Sequence, residues 1–168
     1  MIQAEPVGHQ TENHTLHNGY YWKKIGTVNW SLLISCIDKF DPIFWGICQS
    51  TYHGKNDKVS ADHAIKIGSS LKLIQVFDLE ILVRIEDGYQ GAPGRRRVRG
   101  QFTLNNIAYL MSITDPEIEE QYLGKGNGIY FVGQAVLCVS LAEVYNEFAF
   151  RVIASLITPE RCKQINGN

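Results

Sequence analysis

The sequence predicts a mainly β protein with short helices, in which five strands form a small barrel over residues ~71–157. One observation behind this prediction is a tight hairpin turn at Asn105 and Asn106, since asparagine tolerates the positive φ angles of two-residue turns. The other is the order of elements from Leu71 onward: three strands, a short helix and two strands. With 168 residues, 45% of them hydrophobic, the chain can bury the core of one ordinary domain.

Residues 1–66 are predicted to form an N-terminal connecting segment with one short helix, either an incomplete first barrel or its linker. The segment starts polar, and Asn29 is then a suitable N-cap for a helix that must end before Pro42. Apolar side chains follow the cap at helical spacing, at Trp30, Leu33, Ile34 and Ile37. Two aromatic residues beyond the helix are expected in the core, Phe44 and Trp45. Residues 50–66 are polar without a period and predict a loop.

The barrel is predicted over residues 67–158, and residues 159–168 are predicted to be a tail. Residues 71–85 form a long apolar strand, with a bend or bulge expected near Asp78. Residues 86–94 contain three glycines and a proline and therefore predict a loop before the hairpin.

Closing the hairpin at its two asparagines separates its side chains into an apolar side and a polar side. The apolar side pairs Leu104 with Ile107, Phe102 with Tyr109, Gly100 with Met111, and Val98 with Ile113. The polar side carries Arg95, Arg97, Arg99, Gln101, Thr103 and Ser112. Alternate residues of a strand lie about 6.5–7 Å apart, so each arginine can reach a different phosphate of an extended polyanion.

A short helix follows the hairpin, because Asp115 can cap it, Pro116 suits its first turn and Gly124 suits its end. Two further strands are expected at residues 129–139 and 148–157. Five strands with a helix between the third and the fourth is the order of an OB-fold, a partly open Greek-key barrel. Other small barrels are also compatible with this order.

Seven short runs carry a resemblance to a known family. They are RVRGQF at 97–102, YLMSITDP at 109–116, LCVSLAE at 137–143 and FRVIA at 150–154, with EN at 12–13, YWKKIG at 21–26 and SSL at 69–71 upstream. Together they resemble the C-terminal portion of the bacterial dual OB-containing domain family, over most of residues 12–157. The most specific piece is Ser-x-Thr-Asp-Pro followed by Ser-Leu-x-Glu. The resemblance implies binding of nucleic acid or a nucleotide and supplies no catalytic residue.

The chain departs from that family pattern in three places. Ala142 and Val144 stand where glycine and proline are typical around Ser-Leu-x-Glu, and Arg151 stands where the family often has a lysine-like residue. The family's opening barrel, with a strand of Trp-Ile-Arg-Pro type, has no counterpart in this chain. We therefore expect a truncated, split or abbreviated member whose first barrel is missing.

The favoured function is a non-catalytic OB-type module that binds nucleic acid or a nucleotide, because OB-folds bind ligands on strands two and three and the adjacent loops. The candidate site residues are Arg95, Arg97, Arg99 and Gln101 on the strand, with Tyr89 and Tyr145 in the loops as the aromatic candidates. Sixteen basic against seventeen acidic residues confine any such binding to a local patch. The sequence offers no catalytic constellation, so we expect neither an enzyme nor a cofactor.

Two other interpretations stay open. The arginines also suit a solubilising strand face, or one that pairs with acids such as Glu117, Glu119 and Glu120. The alternative function is a protein-interaction or structural subunit that binds no nucleic acid.

The remaining motifs predict no metal site, no disulfide and no membrane helix. His14 and His17 lack a second pair of ligands at metal spacing, so we expect no metal site. The cysteines have no Cys-x-x-Cys spacing and are expected to be reduced thiols, which favours the cytoplasm. No run approaches the roughly 20 apolar residues of a membrane helix.

Overall fold

The protein is represented by a computed structural model that describes the backbone of residues 4–7, 10–16, 25–39, 43–88 and 91–166, and the side chains of 25–39, 43–88 and 91–164. The N-terminal elements are β1 (Ala4–Val7), β2 (Gln10–Leu16), α1 (Trp30–Ser35), β3 (Lys58–Ser60) and α2 (Ala61–Ala64). The later elements are β4 (Leu71–Glu86), β5 (Arg95–Leu104), β6 (Ile107–Ile113), α3 (Pro116–Leu123), β7 (Gly128–Leu141), β8 (Phe148–Ile157) and α4 (Pro159–Asn166).

Strands β4 to β8 close into a ring in the order β4, β5, β6, β8, β7, with β7 returning to β4. All of these pairings are antiparallel except β6 with β8, which is parallel. Strand β4 can take part on both sides because it is long and shifts register between Val76 and Glu80, where the sequence predicts a bulge. The ring confirms the predicted mainly β fold with an OB-like barrel.

The predicted hairpin register is confirmed from Leu104↔Ile107 to Gly100↔Met111. The two turn residues have positive φ angles of 51° at Asn105 and 63° at Asn106. The inward side chains of the hairpin are buried, namely Val98, Phe102, Tyr109, Met111 and Ile113. Gly100 also faces inward, and a Cβ there would clash with the Ile153 side chain. The hairpin therefore supplies much of the barrel core.

The predicted helix after the hairpin is also confirmed as α3. Asp115 caps it by accepting a hydrogen bond from Ile118 N at 3.4 Å, and Gly124 forms its C-cap. The carboxylate of Asp115 also accepts from Leu156 N at 3.1 Å and from Arg161 Nη1 at 2.7 Å. One buried carboxylate thus joins α3, the end of β8 and the start of α4.

The N-terminal segment completes the barrel wall between β6 and β8. These two strands pair directly only through Ser112↔Val152 and Ile113↔Ile153. Beyond that point β3 pairs with β8, and Lys55 bridges to Leu110 of β6. The prediction of a structureless loop at 50–66 is therefore wrong, because β3 and α2 lie within it. Its order comes from pairing with strands far along the chain, which leaves no local periodicity.

Both ends of the chain contain more structure than the sequence indicates. The polar start pairs β1 with β2 as an antiparallel hairpin, and the predicted tail contains α4. None of the described helices is long and apolar enough to cross a membrane. The division into residues 1–66, 67–158 and 159–168 stays a prediction.

A plug of two aromatic side chains from the N-terminal segment packs into the barrel core. As predicted, Phe44 and Trp45 are buried. Phe44 stacks on Tyr109 with ring centroids 5.0 Å apart, and Tyr109 stacks on Phe102 at 5.3 Å. Burial raises the pKa of the Tyr109 hydroxyl to about 12.

Arg151 of β8 anchors the same segment from inside the barrel. Its side chain is 1% exposed and donates to Asn56 O at 2.8 Å, to Ile47 O at 3.1 Å and to Trp45 O at 3.3 Å. Burial lowers the pKa of this guanidinium. The plug and the residues just before β3 are thus fixed to one buried side chain.

Candidate binding face

The outer surface of β4 and β5 carries a row of arginines. The register places Arg84 opposite Arg97 and Glu86 opposite Arg95, while the flanking Val83 and Val98 point into the core. Directly paired residues of a sheet share one side, so these side chains lie on the outer surface. We call Arg84, Arg95 and Arg97 the basic face.

The basic face is accessible. Arg95 and Arg97 are exposed, and the Arg84 side chain is 43% exposed. Arg84 contacts Glu86 Oε1 at 3.2 Å and donates to His53 O at 2.8 Å. The guanidinium of Arg97 makes no hydrogen bond or ion pair with residues 25–39, 43–88 or 91–164. Like charges placed directly opposite destabilise a sheet, and Glu86 offsets only the charge of Arg84.

Arg99 does not belong to this accessible row, so its predicted exposure is wrong. It is 8% exposed and donates from Nε to Glu86 Oε1 at 2.6 Å and from Nη2 to Glu86 Oε2 at 2.8 Å. Its Nη1 also lies 3.8 Å from Asp57 Oδ2. Burial alone would raise the pKa of Glu86, but hydrogen bonds and charge from Arg99 and Arg84 hold it below its ordinary value.

Residues 51–57, which we call the covering loop, bury Arg99. Asp57 fixes the loop by accepting from Thr51 N at 2.7 Å and from Thr51 Oγ1 at 2.6 Å. His53 Nε2 lies 3.3 Å from Asp87 O. The loop presents Tyr52, which is 91% exposed and whose ring meets His53 edge to face at 4.7 Å. An open aromatic ring therefore borders the basic face.

Of the other predicted site residues, only Gln101 is shown on the same outer surface as the basic face. Gln101 is exposed on the same outer surface and donates to Glu80 Oε2 at 3.3 Å. Tyr145 is exposed in the turn between β7 and β8, where its backbone bridges to Phe148. Tyr89 lies outside the described residues.

The acids of α3 do not neutralise the basic face. Glu117 pairs with Arg161 at 2.6 Å. No described ion pair joins Glu117, Glu119 or Glu120 to β5. The neighbouring Arg96 points to the other side of the sheet and donates to Leu123 O at 2.8 Å and Lys125 O at 2.6 Å.

Sequence reasoning missed several exposed aromatic and apolar side chains, since it named only loop tyrosines as aromatic candidates. Phe131 of β7 is 74% exposed, and Phe77 in the β4 bulge is also exposed. Phe131 lies opposite Glu80, and Ile129 lies opposite Leu82. The sequence signal for these residues is the alternation of side chains along a strand. Because Tyr130 and Val132 pack against the core, the residues next to them point outward.

The chemistry of this surface is that of binding. Guanidinium groups recognise phosphates or carboxylates, and open aromatic rings stack on planar ligands. Within the described part of the chain, no three His, Cys, Asp or Glu side chains are grouped to hold a metal ion. His14 and His17 have no described side chains.

In a comparison with family models, the model of the dual OB-containing domain family matches residues 1–156. This range includes nearly all of the resemblance noted in the sequence. Comparisons with curated proteins and with solved structures found no match. A family of OB-containing domains suggests a binding module.

Proposed function

Because this chain belongs to the dual OB-containing domain family, we propose that it is a non-catalytic module that binds nucleic acid or a nucleotide through its basic face. The observation that carries the proposal is the direct opposition of Arg84 and Arg97 on the outside of the barrel. Two like charges at one cross-strand position cost stability; the ion pair of Arg84 with Glu86 offsets part of that cost, and a phosphate bound to Arg97 offsets the rest.

The spacing of the basic face suits a phosphate backbone. Arg95 and Arg97 are alternate residues of β5, so their side chains start about 7 Å apart on one side. Arg84 lies on the adjacent strand, about 4.8 Å away. Three guanidinium groups at such distances can contact successive phosphates of an extended strand.

The exposed ring of Tyr52 favours a single strand over a duplex. Bases of a single strand are free to stack on aromatic side chains, whereas paired bases in a helix are not. The overall charge of −1 gives no general attraction to nucleic acid, so the affinity must come from this local face. A cytoplasmic location is part of the proposal, because all four cysteines are free thiols.

Fluorescence anisotropy with a labelled single-stranded 12-mer tests this proposal. Three phosphate contacts predict that affinity falls about 20-fold between roughly 50 and 200 mM salt. Arg97→Glu should weaken binding strongly and flatten the salt dependence. Lys163→Glu is the matched control, because it makes the same charge change on α4 and should bind like the wild type.

Two results of this titration would contradict the proposal. Binding that is the same for Arg97→Glu and wild type, or no binding even at low salt, would overturn the proposal. The alternative of a protein-interaction subunit is favoured by the exposed apolar side chains of β7. It predicts association that hardly changes with salt.

A further inference from the structure

We infer that a bound single strand leaves the basic face across β4 and stacks a base on Phe131 of β7, instead of running along β5 and β6 as is usual for an OB-fold. This inference rests on the proposed function. It adds the path of the ligand and a second stacking position.

Part of the usual path is occupied by the chain itself, where Lys55 and Asn56 bond to β6. Lys55 and Leu110 of β6 exchange two backbone hydrogen bonds, Lys55 N to Leu110 O at 3.0 Å and Leu110 N to Lys55 O at 2.9 Å. Asn56 Nδ2 also donates to Ala108 O at 2.9 Å. With Arg99 buried beneath the covering loop, the part of the surface nearest β6 offers a ligand little cationic contact.

The outer surface from the basic face across β4 to β7 forms a continuous path. The registers place Gln101, Glu80 and Phe131 in one row across β5, β4 and β7. A second row contains Leu82 and Ile129. Since paired residues share one side, Phe131 and Ile129 lie on the same outer surface as the basic face.

The Phe131 ring is a supported platform. A Cβ added at Gly133 would lie 3.3 Å from Phe131 Cε1 and 3.4 Å from Cζ, so the ring leans over the bare backbone of that glycine. The residue as a whole is 74% exposed, so most of the side chain is open to a ligand. An aromatic ring held against backbone with a free surface is the geometry that stacks on a base.

Charge separates the two ends of this path. The arginine end attracts phosphates, whereas Glu80 and Asp78 put carboxylates near the Phe131 end. Phosphates are therefore disfavoured there, and the ligand should present bases. Arg97 and Phe131 are four residues apart along the strands and two strands apart across them, which is about 17 Å. A dinucleotide is too short for this span, and about four nucleotides or more are needed.

The test combines a length series of deoxythymidine oligonucleotides with two substitutions at one position. Phe131→Ala should weaken binding of an 8-mer at least about fivefold, while leaving a dinucleotide unaffected. Phe131→Tyr keeps a ring and should bind nearly as wild type. Leu71→Ala removes an exposed apolar side chain from the far end of β4 and serves as a control. The salt dependence of Phe131→Ala should match wild type, because stacking releases no counterions.

The failure of this inference can be distinguished from failure of the proposed function. If Arg97→Glu abolishes binding but Phe131→Ala binds the 8-mer as wild type does, the proposed function stands and this path is wrong. If the wild type binds no oligonucleotide, both fail. If Phe131→Ala changes only the oligomeric state in light scattering, the patch serves protein association, and the inference is overturned.

Discussion

Arg99 donates two hydrogen bonds to Glu86, at 2.6 and 2.8 Å. Both side chains lie on the outer side of the barrel sheet, yet both are shielded from solvent. This pair connects β4 to β5 and lies beneath the covering loop, where Asp57 adds a second carboxylate. It removes one arginine from the predicted basic side of the hairpin. The charges still available to a ligand are those of Arg84, Arg95 and Arg97.

Removing one partner of this pair should destabilise the protein. In Glu86→Ala, the buried Arg99 guanidinium loses both of its short hydrogen bonds, which should lower the free energy of unfolding by about 3 kcal/mol or more. Urea denaturation at neutral pH measures the change. The double variant Glu86→Leu with Arg99→Met should recover part of that loss, because it removes the unpaired guanidinium while Asp57 keeps its two hydrogen bonds from Thr51. Equal losses in the single and double variants would contradict this explanation.

Acid should weaken the fold through two buried carboxyl groups. Burial alone would raise the pKa values of Asp115 and Glu86, but hydrogen bonds and charge from arginines, together with backbone amides at Asp115, hold both pKa values below their ordinary 3.8 and 4.5. Since the folded state favours the ionised forms, their stabilisation is complete above the unfolded pKa values and is lost as pH falls through the folded ones.

Urea midpoints measured from neutral pH down to about pH 3 should therefore fall, with most of the loss below about pH 4.5. Arg161→Gln removes the hydrogen bond from Arg161 Nη1 to Asp115 and should show a smaller acid-dependent loss than wild type. An unchanged acid dependence in that variant would show that Arg161 does not set the Asp115 pKa.

Arg151 should control the attachment of the N-terminal segment. Arg151→Leu leaves the carbonyls of Trp45, Ile47 and Asn56 without their donor, at a cost of about 1–3 kcal/mol for each buried group that stays unsatisfied. Hydrogen exchange of the Lys55 and Leu110 amides, which pair with one another, should then become faster.

Arg151→Lys tests whether the positive charge alone holds the segment or whether the planar guanidinium is needed. A lysine ammonium is compact and cannot span the three carbonyls as the planar guanidinium does, so we expect intermediate exchange. Exchange at Lys55 and Leu110 that stays as slow as in wild type in both variants would mean that the segment is held by other contacts.

The hairpin and α3 were predictable because their determinants are local. Adjacent asparagines fix the turn, alternation then fixes the register, and Asp115 with Pro116 fixes the helix start. The order of these elements was enough to identify the barrel. No long-range contact had to be known.

The binding face was only partly predictable because its limits are set by distant residues. Arg99 is buried beneath the covering loop, whose Asp57 contacts it, and that loop carries no periodic signal. Phe131 lies within a continuous apolar run, so only its pairing with Glu80 of β4 shows that it faces outward. Arg84 was missed for the same reason, since its partner Arg97 is known only from the β4 and β5 register.

The central claim is that nucleic acid binds on the outer surface of β4, β5 and β7. A ¹⁵N-labelled protein titrated with a single-stranded 12-mer and followed by NMR tests it most directly. We predict amide shift changes around Tyr52, Arg84, Arg97 and Phe131, with little change on α4. Shifts confined to α3 and α4, or no shifts at saturating oligonucleotide, would contradict it.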